Sequence, residues 1–194
     1  PEWGLITGYD DDTQMFTTLA INAEKADPTS PDYNCLQMSY DVLGKRELPI
    51  LSVLTITGKA DKKDETILHD TMKLAVNHLK GDEWCDNAKG LEAYPALIKM
   101  FDESPDIASS WNAEYFLGTY GALKEYAFRY FEKAGKSKLA ETYRAVFNAW
   151  MEAFKIKTSE DATSPEVRER IVSLLKSAYK NEMEAVQIME SLTI

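Results

Sequence analysis

The sequence contains little cysteine and little histidine, and it has no long hydrophobic run. Only two of its 194 residues are cysteine and two are histidine. Two cysteines cannot build the disulfide framework of a small secreted domain, so a reducing, cytoplasmic environment is expected. No apolar run approaches the length of a membrane span, and the chain does not begin with the basic and apolar regions of a signal peptide. There is also no initiator Met, so we expect a removed leader or a fragment.

Positive charge is scarce as well. The 22 Lys and Arg residues face 32 Asp and Glu residues, which gives a formal net charge of -10. Such a surface repels nucleic-acid phosphates and anionic lipid headgroups, so neither nucleic acid nor a membrane is an expected partner. With 44% hydrophobic and 28% charged residues, the composition is typical of a folded soluble domain.

Residues that bind metals or attack substrates occur in unfavourable patterns. His69 and His78 lie nine positions apart on one predicted helix, on nearly opposite faces, which excludes an i, i+4 zinc pair. The run Asp10–Asp12 lacks the spaced ligands of an EF-hand loop and favours a solvated turn. Cys35 and Cys85 are the candidate thiol nucleophiles, but neither has a neighbouring His in the sequence. We therefore predict no metal and no cofactor.

The hydrophobic pattern changes near residue 60. Before it, short apolar runs at Trp3–Thr7 and Met15–Ile21 predict a hairpin with its turn at 8–12. A weaker strand follows at Cys35–Ser39 and a stronger one at Leu48–Thr57, which is apolar on both faces as a buried strand should be. Residues 1–60 are therefore predicted to form a β-rich piece.

After Gly58 the apolar residues recur at helical spacing. The pattern predicts five helices: Ile67–Leu79 ending at Gly81, Leu91–Phe101, about Ser110–Ala134, Leu139–Phe154, and a last one opened by Ser164 and Pro165 and reaching Leu192. Short loops join them, so residues 61–194 should form an antiparallel bundle. The predicted fold class is α+β, predominantly α.

Aromatic side chains recur along the predicted helices. Trp111, Tyr115, Tyr126, Tyr143 and Trp150 stand at helical spacing, which core packing alone explains. Their hydroxyl and indole N–H groups would equally suit a ligand site. Both interpretations stay open, and Gly118 and Gly121 are candidate points of close helix contact or kinking.

Three segments resemble a known family. PEWGLITGYDDDTQMF (1–16) resembles the strand–turn–strand that follows the catalytic His in papain-like cysteine peptidases of the bacteriocin-leader (double-glycine) type. KGLEAYPALIKMF (89–101) and SAYKNEMEAVQIMESL (177–192) resemble helices of butirosin biosynthesis protein H-like proteins. The resemblance implies a C-terminal portion of such a protein, with a cysteine-peptidase-like fold at its start and acyl or peptide handling as the family activity; an aminoglycoside acyltransferase is among its members.

The resemblance also implies that this chain lacks Cys–His catalysis of its own. The half that carries the Cys nucleophile would precede it, and Glu2 occupies the position expected for the catalytic His. A carboxylate cannot replace imidazole as a base poised near neutral pH. Whether the chain belongs to an enzyme therefore stays open at this point.

Two functions follow from these observations. The chain is either part of a peptidase-like hydrolase or acyltransferase, or a non-catalytic module that binds a peptide, a carrier protein or a small amide or amine ligand. The candidate ligand-binding residues are Trp3, Tyr9, Tyr94, Trp111 and Tyr115. Trp3, Tyr9 and Tyr94 are expected where the β piece meets the helices, although Tyr94 could equally serve as a packing residue, and Trp111 and Tyr115 come from the aromatic stripe. Exposed strand edges further predict a homo-oligomer, or association with a missing N-terminal part.

Overall fold

The computed structural model describes residues 5–19, 27–29, 35–43, 45, 57–59, 61–82 and 88–193. The chain divides into two compact units, residues 1–59 and 60–194, which are described separately. The fold class is α+β and mostly α-helical, as the sequence predicts: within these described residues, three antiparallel strands are followed by helices.

The first unit contains a small antiparallel sheet. Its strands β1 (Leu5–Asp10), β2 (Met15–Leu19) and β3 (Gln37–Ser39) lie in the order β1-β2-β3. The predicted hairpin and the weaker third strand are thus confirmed. The predicted strand at Leu48–Thr57 falls almost entirely outside the described residues.

The hairpin turn lies later in the chain than the sequence predicted. Gly8, Tyr9 and Asp10 belong to β1, and residues 11–14 form the turn. The Asp10 carboxylate fixes this position, because its Oδ1 accepts backbone N–H groups of Asp12 at 2.9 Å and Thr13 at 3.2 Å. The hydrogen bonds to Thr13 and Asp12 also lower the pKa of Asp10. Asp10 is therefore a turn-forming residue.

The second unit is helical. Its helices are α1 (Asp64–Leu79), α2 (Ala93–Glu103), α3 (Pro105–Ser109), α4 (Trp111–Lys133), α5 (Ser137–Ser159) and α6 (Pro165–Thr193). Five of them confirm the predicted helices, and α3 is additional. In the part of the chain that the structure describes, none of these helices is both long and apolar enough to cross a membrane.

Local sequence signals set the helix ends. Gly81 and Gly135 take positive φ angles of 88° and 70° just after α1 and α4, a conformation that glycine adopts without a Cβ clash. The Ser110 side chain accepts the backbone N–H of Ala113 at 3.4 Å and so caps α4. Pro165 occupies the first position of α6, where its missing N–H costs nothing.

Helix α5 lies between α4 and α6, and α6 also packs against α1 and α2. Two hydrophobic clusters fill the spaces between the helices. The largest fully buried apolar side chains of this unit are those of Phe101, Leu117, Leu139, Val146, Ile171, Leu175 and Met189. Because α4 packs mainly on α5, the side of α4 that is turned away from α5 faces outward.

Candidate functional site

A hydrogen-bonded network crosses the core of the helical unit. Both carboxylate oxygens of Glu182 on α6 are used: Oε2 accepts the Tyr94 hydroxyl at 2.6 Å, and Oε1 accepts the Lys124 ammonium at 2.6 Å. The Trp150 indole N–H donates to the Tyr94 hydroxyl at 2.8 Å. Glu182 is 1% exposed and the Lys124 side chain 19%. The network therefore joins four helices, α2, α4, α5 and α6, through one buried carboxylate.

Tyr94 is an internal residue in this arrangement. It is 4% exposed, and its ring packs edge-on against Trp150 at a centroid distance of 5.5 Å. Its hydroxyl both donates and accepts within the protein, so of the two roles considered for Tyr94 this geometry favours packing. Tyr94 and Glu182 belong to the two helical segments that carry the family resemblance, and the structure brings those segments together.

Burial perturbs two tyrosines around Glu182. Burial first, and then the charge of Glu182, raise the pKa values of Tyr94 and Tyr143 well above the ordinary value. Above about pH 10 the folded state therefore keeps two protons that the unfolded chain releases. The contribution of these two tyrosines to the free energy of unfolding is fully present below about pH 10 and is lost as the pH rises above it.

We expect the free energy of unfolding to fall by about 1.4 kcal/mol per pH unit for each of these tyrosines above pH 10. Denaturant unfolding from neutral to strongly alkaline pH measures this slope. A variant carrying Tyr94→Phe and Tyr143→Phe serves as the reference, because it keeps every other titratable group of the wild type. Equal slopes in the two proteins would show that these tyrosines do not carry the effect.

A groove lies on the surface of the helical unit, along the line where α4 and α5 meet. It is shallow and open to solvent, offers about 330 Å³ of space, and is lined by Trp111, Glu114, Tyr115, Gly118, Thr119 and Phe154. The Trp111 and Tyr115 rings are one helical turn apart and stack at 5.1 Å with an interplanar angle of 29°. A Cβ on Gly118 would lie 3.0 Å from the Phe154 ring, so glycine allows that ring to pack against α4. The prediction that Gly118 is a point of close contact is confirmed.

One carboxylate and one buried ammonium lie at the groove. The Glu114 side chain is 40% exposed, and its Oε2 lies 3.9 Å from the Lys157 Nζ. The Lys157 side chain is buried and donates to the Ser109 carbonyl at 3.2 Å. Lys157 is buried and is already bonded to the Ser109 carbonyl, so the exposed part of the Glu114 carboxylate stays available to a cation in the groove.

The exposed positions of α4 carry no charge over four turns, whereas the charged residues of the same stretch, Glu114, Lys124 and Glu125, are half-buried. Between Trp111 and Tyr126, a stretch described in full, the exposed positions are Trp111, Asn112, Tyr115, Phe116, Thr119, Tyr120, Ala122, Leu123 and Tyr126. We call these residues the aromatic face of α4. The exposed positions of α5, by contrast, include Lys138, Glu141, Arg144, Glu152 and Lys155.

The predicted site residues occupy different places. Trp111 and Tyr115 lie together at the groove, 68% and 50% exposed, whereas Tyr94 is inside the core. Tyr9 is 72% exposed on β1 in the other unit. Glu2, Trp3 and Cys85 lie outside the described residues. Cys35, a candidate nucleophile from the sequence, is buried beside Met38 and Val42 in a small hydrophobic cluster of the first unit.

Sequence reasoning missed Glu182 and Lys157. Both interrupt an apolar helical stripe, Glu182 between Ala178 and Ala185 and Lys157 four positions after the buried Ala153. A charged residue at a core position must be paired when it is buried, so this interruption was the available signal.

The chain was compared with protein-family models, with curated proteins and with solved structures, and none of them matches it.

Proposed function

We propose that this chain is the C-terminal portion of a cysteine-peptidase-like protein, and that it binds a peptide or a small amine or amide ligand without being catalytic itself. The three segments that resemble butirosin biosynthesis protein H-like and double-glycine peptidase proteins support the first part. Glu2 at the position expected for His supports the absence of catalysis. A gene sequence upstream of Pro1 that encodes a helix-borne Cys would place catalysis in the parent protein.

The α4–α5 groove carries the binding proposal. Stacked Trp111 and Tyr115 rings and the Phe154 ring present aromatic faces beside the partly exposed Glu114 carboxylate. An ammonium group is attracted to both an aromatic face and a carboxylate, and amide planes stack on aromatic rings. The net charge of -10 also draws cations toward the surface. A ligand with an amine next to an amide fits this combination.

Calorimetry with lysine-containing short peptides and an aminoglycoside tests the groove. We expect Trp111→Ala to weaken binding by about 1–2 kcal/mol because it removes a ring from the ligand surface. Glu114→Gln should weaken binding of the amine by about 1 kcal/mol and leave its N-acetylated analogue unaffected, because only the amine is charged.

Tyr126→Ala is the matched control. Tyr126 lies on the same helix, is 71% exposed and is outside the groove. The Tyr126→Ala variant should bind the ligands as the wild type does. Equal affinities of wild type and Trp111→Ala for a bound ligand, or no binding of any of these ligands, would refute the groove as the site.

The alternative function is a non-catalytic protein-interaction module. The aromatic face of α4 favours it, since an exposed apolar surface of this extent is typical of a protein contact.

A further inference from the structure

The aromatic face of α4 has the spacing of a helix–helix contact. Asn112, Phe116, Thr119, Leu123 and Tyr126 follow one another at steps of four and three residues, the alternation that keeps a straight seam turned toward a second helix. We call these five residues the α4 seam. All five are exposed. Within α5 and α6 the same spacing faces the core, whereas here it faces outward.

The seam is flanked by further exposed rings. Tyr115 and Tyr120 border it, and the Phe116 and Tyr120 rings stack at a centroid distance of 6.0 Å. The exposed fractions are 68% for Trp111, 50% for Tyr115, 40% for Phe116, 47% for Tyr120, 54% for Leu123 and 71% for Tyr126. These six side chains offer roughly 700 Å² of accessible surface, close to the ~800 Å² per partner of a standard protein interface.

From this spacing, area and lack of charge we infer that the α4 seam is the contact between two copies of this chain, related by a two-fold axis at Thr119. A two-fold contact requires a patch that complements itself. Thr119 is the small central residue of the seam, with a large apolar residue on either side, Phe116 and Leu123, and an outer position seven residues away in each direction. A two-fold axis at Thr119 brings Phe116 of each copy near Leu123 of the other, and Asn112 near Tyr126.

The distribution of charge favours a second copy of this chain, and not a different protein, as the partner on the α4 seam. Each copy carries a net charge of -10, so two copies repel each other wherever acidic surfaces meet. The α4 seam contains no charged residue, and the partly exposed side chains of Glu114 and Glu125 lie outside it, so charges of the same sign do not meet along the seam. A partner recognised through opposite charges would find nothing to pair with on this face. The seam and the groove share Thr119 and adjoin at Trp111 and Tyr115, so a second copy on the seam and a ligand in the groove compete for this surface.

Sedimentation of the full 194-residue chain over a wide concentration range tests the contact. The wild type should form dimers reversibly. Leu123→Glu and Tyr126→Glu should each raise the dimer Kd at least about 100-fold, because every substitution places two carboxylates in the contact. Leu74→Glu is the matched control: Leu74 is 71% exposed on α1, away from the seam, and its replacement should leave the Kd unchanged.

A cross-link locates the axis without relying on a weakened dimer. Thr119→Cys should form an interchain disulfide on mild oxidation, because the two copies of residue 119 face each other at the axis. Ala145→Cys, on the exposed side of α5, should not. A chain that stays monomeric at every concentration, or a dimer that Leu123→Glu leaves intact and Thr119→Cys fails to cross-link, would overturn the inference. Because the two surfaces overlap, ligand binding is measured at protein concentrations below the dimer Kd and dimerisation is measured without ligand, so that one proposal can fail while the other stands.

Discussion

Glu182→Ala is expected to lower the free energy of unfolding by about 3–5 kcal/mol, which is the cost of removing one partner from a buried ion pair. The substitution leaves the Lys124 ammonium, only 19% exposed, without its carboxylate. It also removes the acceptor of the Tyr94 hydroxyl. Both groups would then be desolvated without compensation, and a cavity would remain on α6.

Glu184→Ala is the matched control for this experiment. Glu184 lies two residues later on α6, and its partner Lys138 is mostly exposed. An exposed pair of this kind contributes at most about 1 kcal/mol. Denaturant unfolding of both variants at neutral pH gives the comparison. If the two substitutions cost the same, the buried network does not have the structural role assigned to it.

Gly90→Ala is the second substitution with a large expected effect. Gly90 begins the 3-10 turn that leads into α2 and has a positive φ of 53°. A Cβ at this position would lie 2.5 Å from the His78 carbonyl oxygen and 2.6 Å from the Leu79 carbonyl carbon. These are backbone atoms at the end of α1, which cannot rotate away as a side chain could. We expect a loss of at least about 3 kcal/mol, from overpacking and unfavourable φ together.

Gly135→Ala separates the two contributions. Gly135 also has a positive φ, 70°, but a Cβ there would meet no atom within 4 Å. Its replacement should cost only the conformational term, about 1 kcal/mol. Thermal or denaturant unfolding measures both variants. A Gly90→Ala protein as stable as Gly135→Ala would mean that α1 and the turn at Gly90 do not pack as closely as described.

The sequence was sufficient to predict the long helices but not the short one. Helices of sixteen residues or more carry several repeats of the apolar period, and punctuating residues such as Gly135 and Pro165 mark their ends. Helix α3 has five residues, too few for any period to show. The turn of the hairpin was misplaced because a side-chain hydrogen bond of Asp10, and not turn propensity alone, decides where the chain reverses.

Only those contacts of the candidate site that lie within one helix were predictable from the sequence. Trp111 and Tyr115 are four residues apart on one helix, so their proximity follows from helix geometry. Phe154, the third ring of the groove, belongs to another helix. Tyr94 and Glu182 are 88 positions apart, and nothing in either segment alone indicates that a hydroxyl will meet a carboxylate. Contacts between distant segments are set by how the helices pack.

The position of α6 has a consequence for how this protein is made. The last long helix in the described chain provides the common packing surface of α1, α2 and α5 and supplies Glu182 to the network. While the ribosome is still synthesising α6, the earlier helices have no partner for much of their apolar surface. The helical unit therefore completes its core only after nearly all of these residues have left the exit tunnel, and until then the apolar surfaces of α1, α2 and α5 that meet α6 stay uncovered.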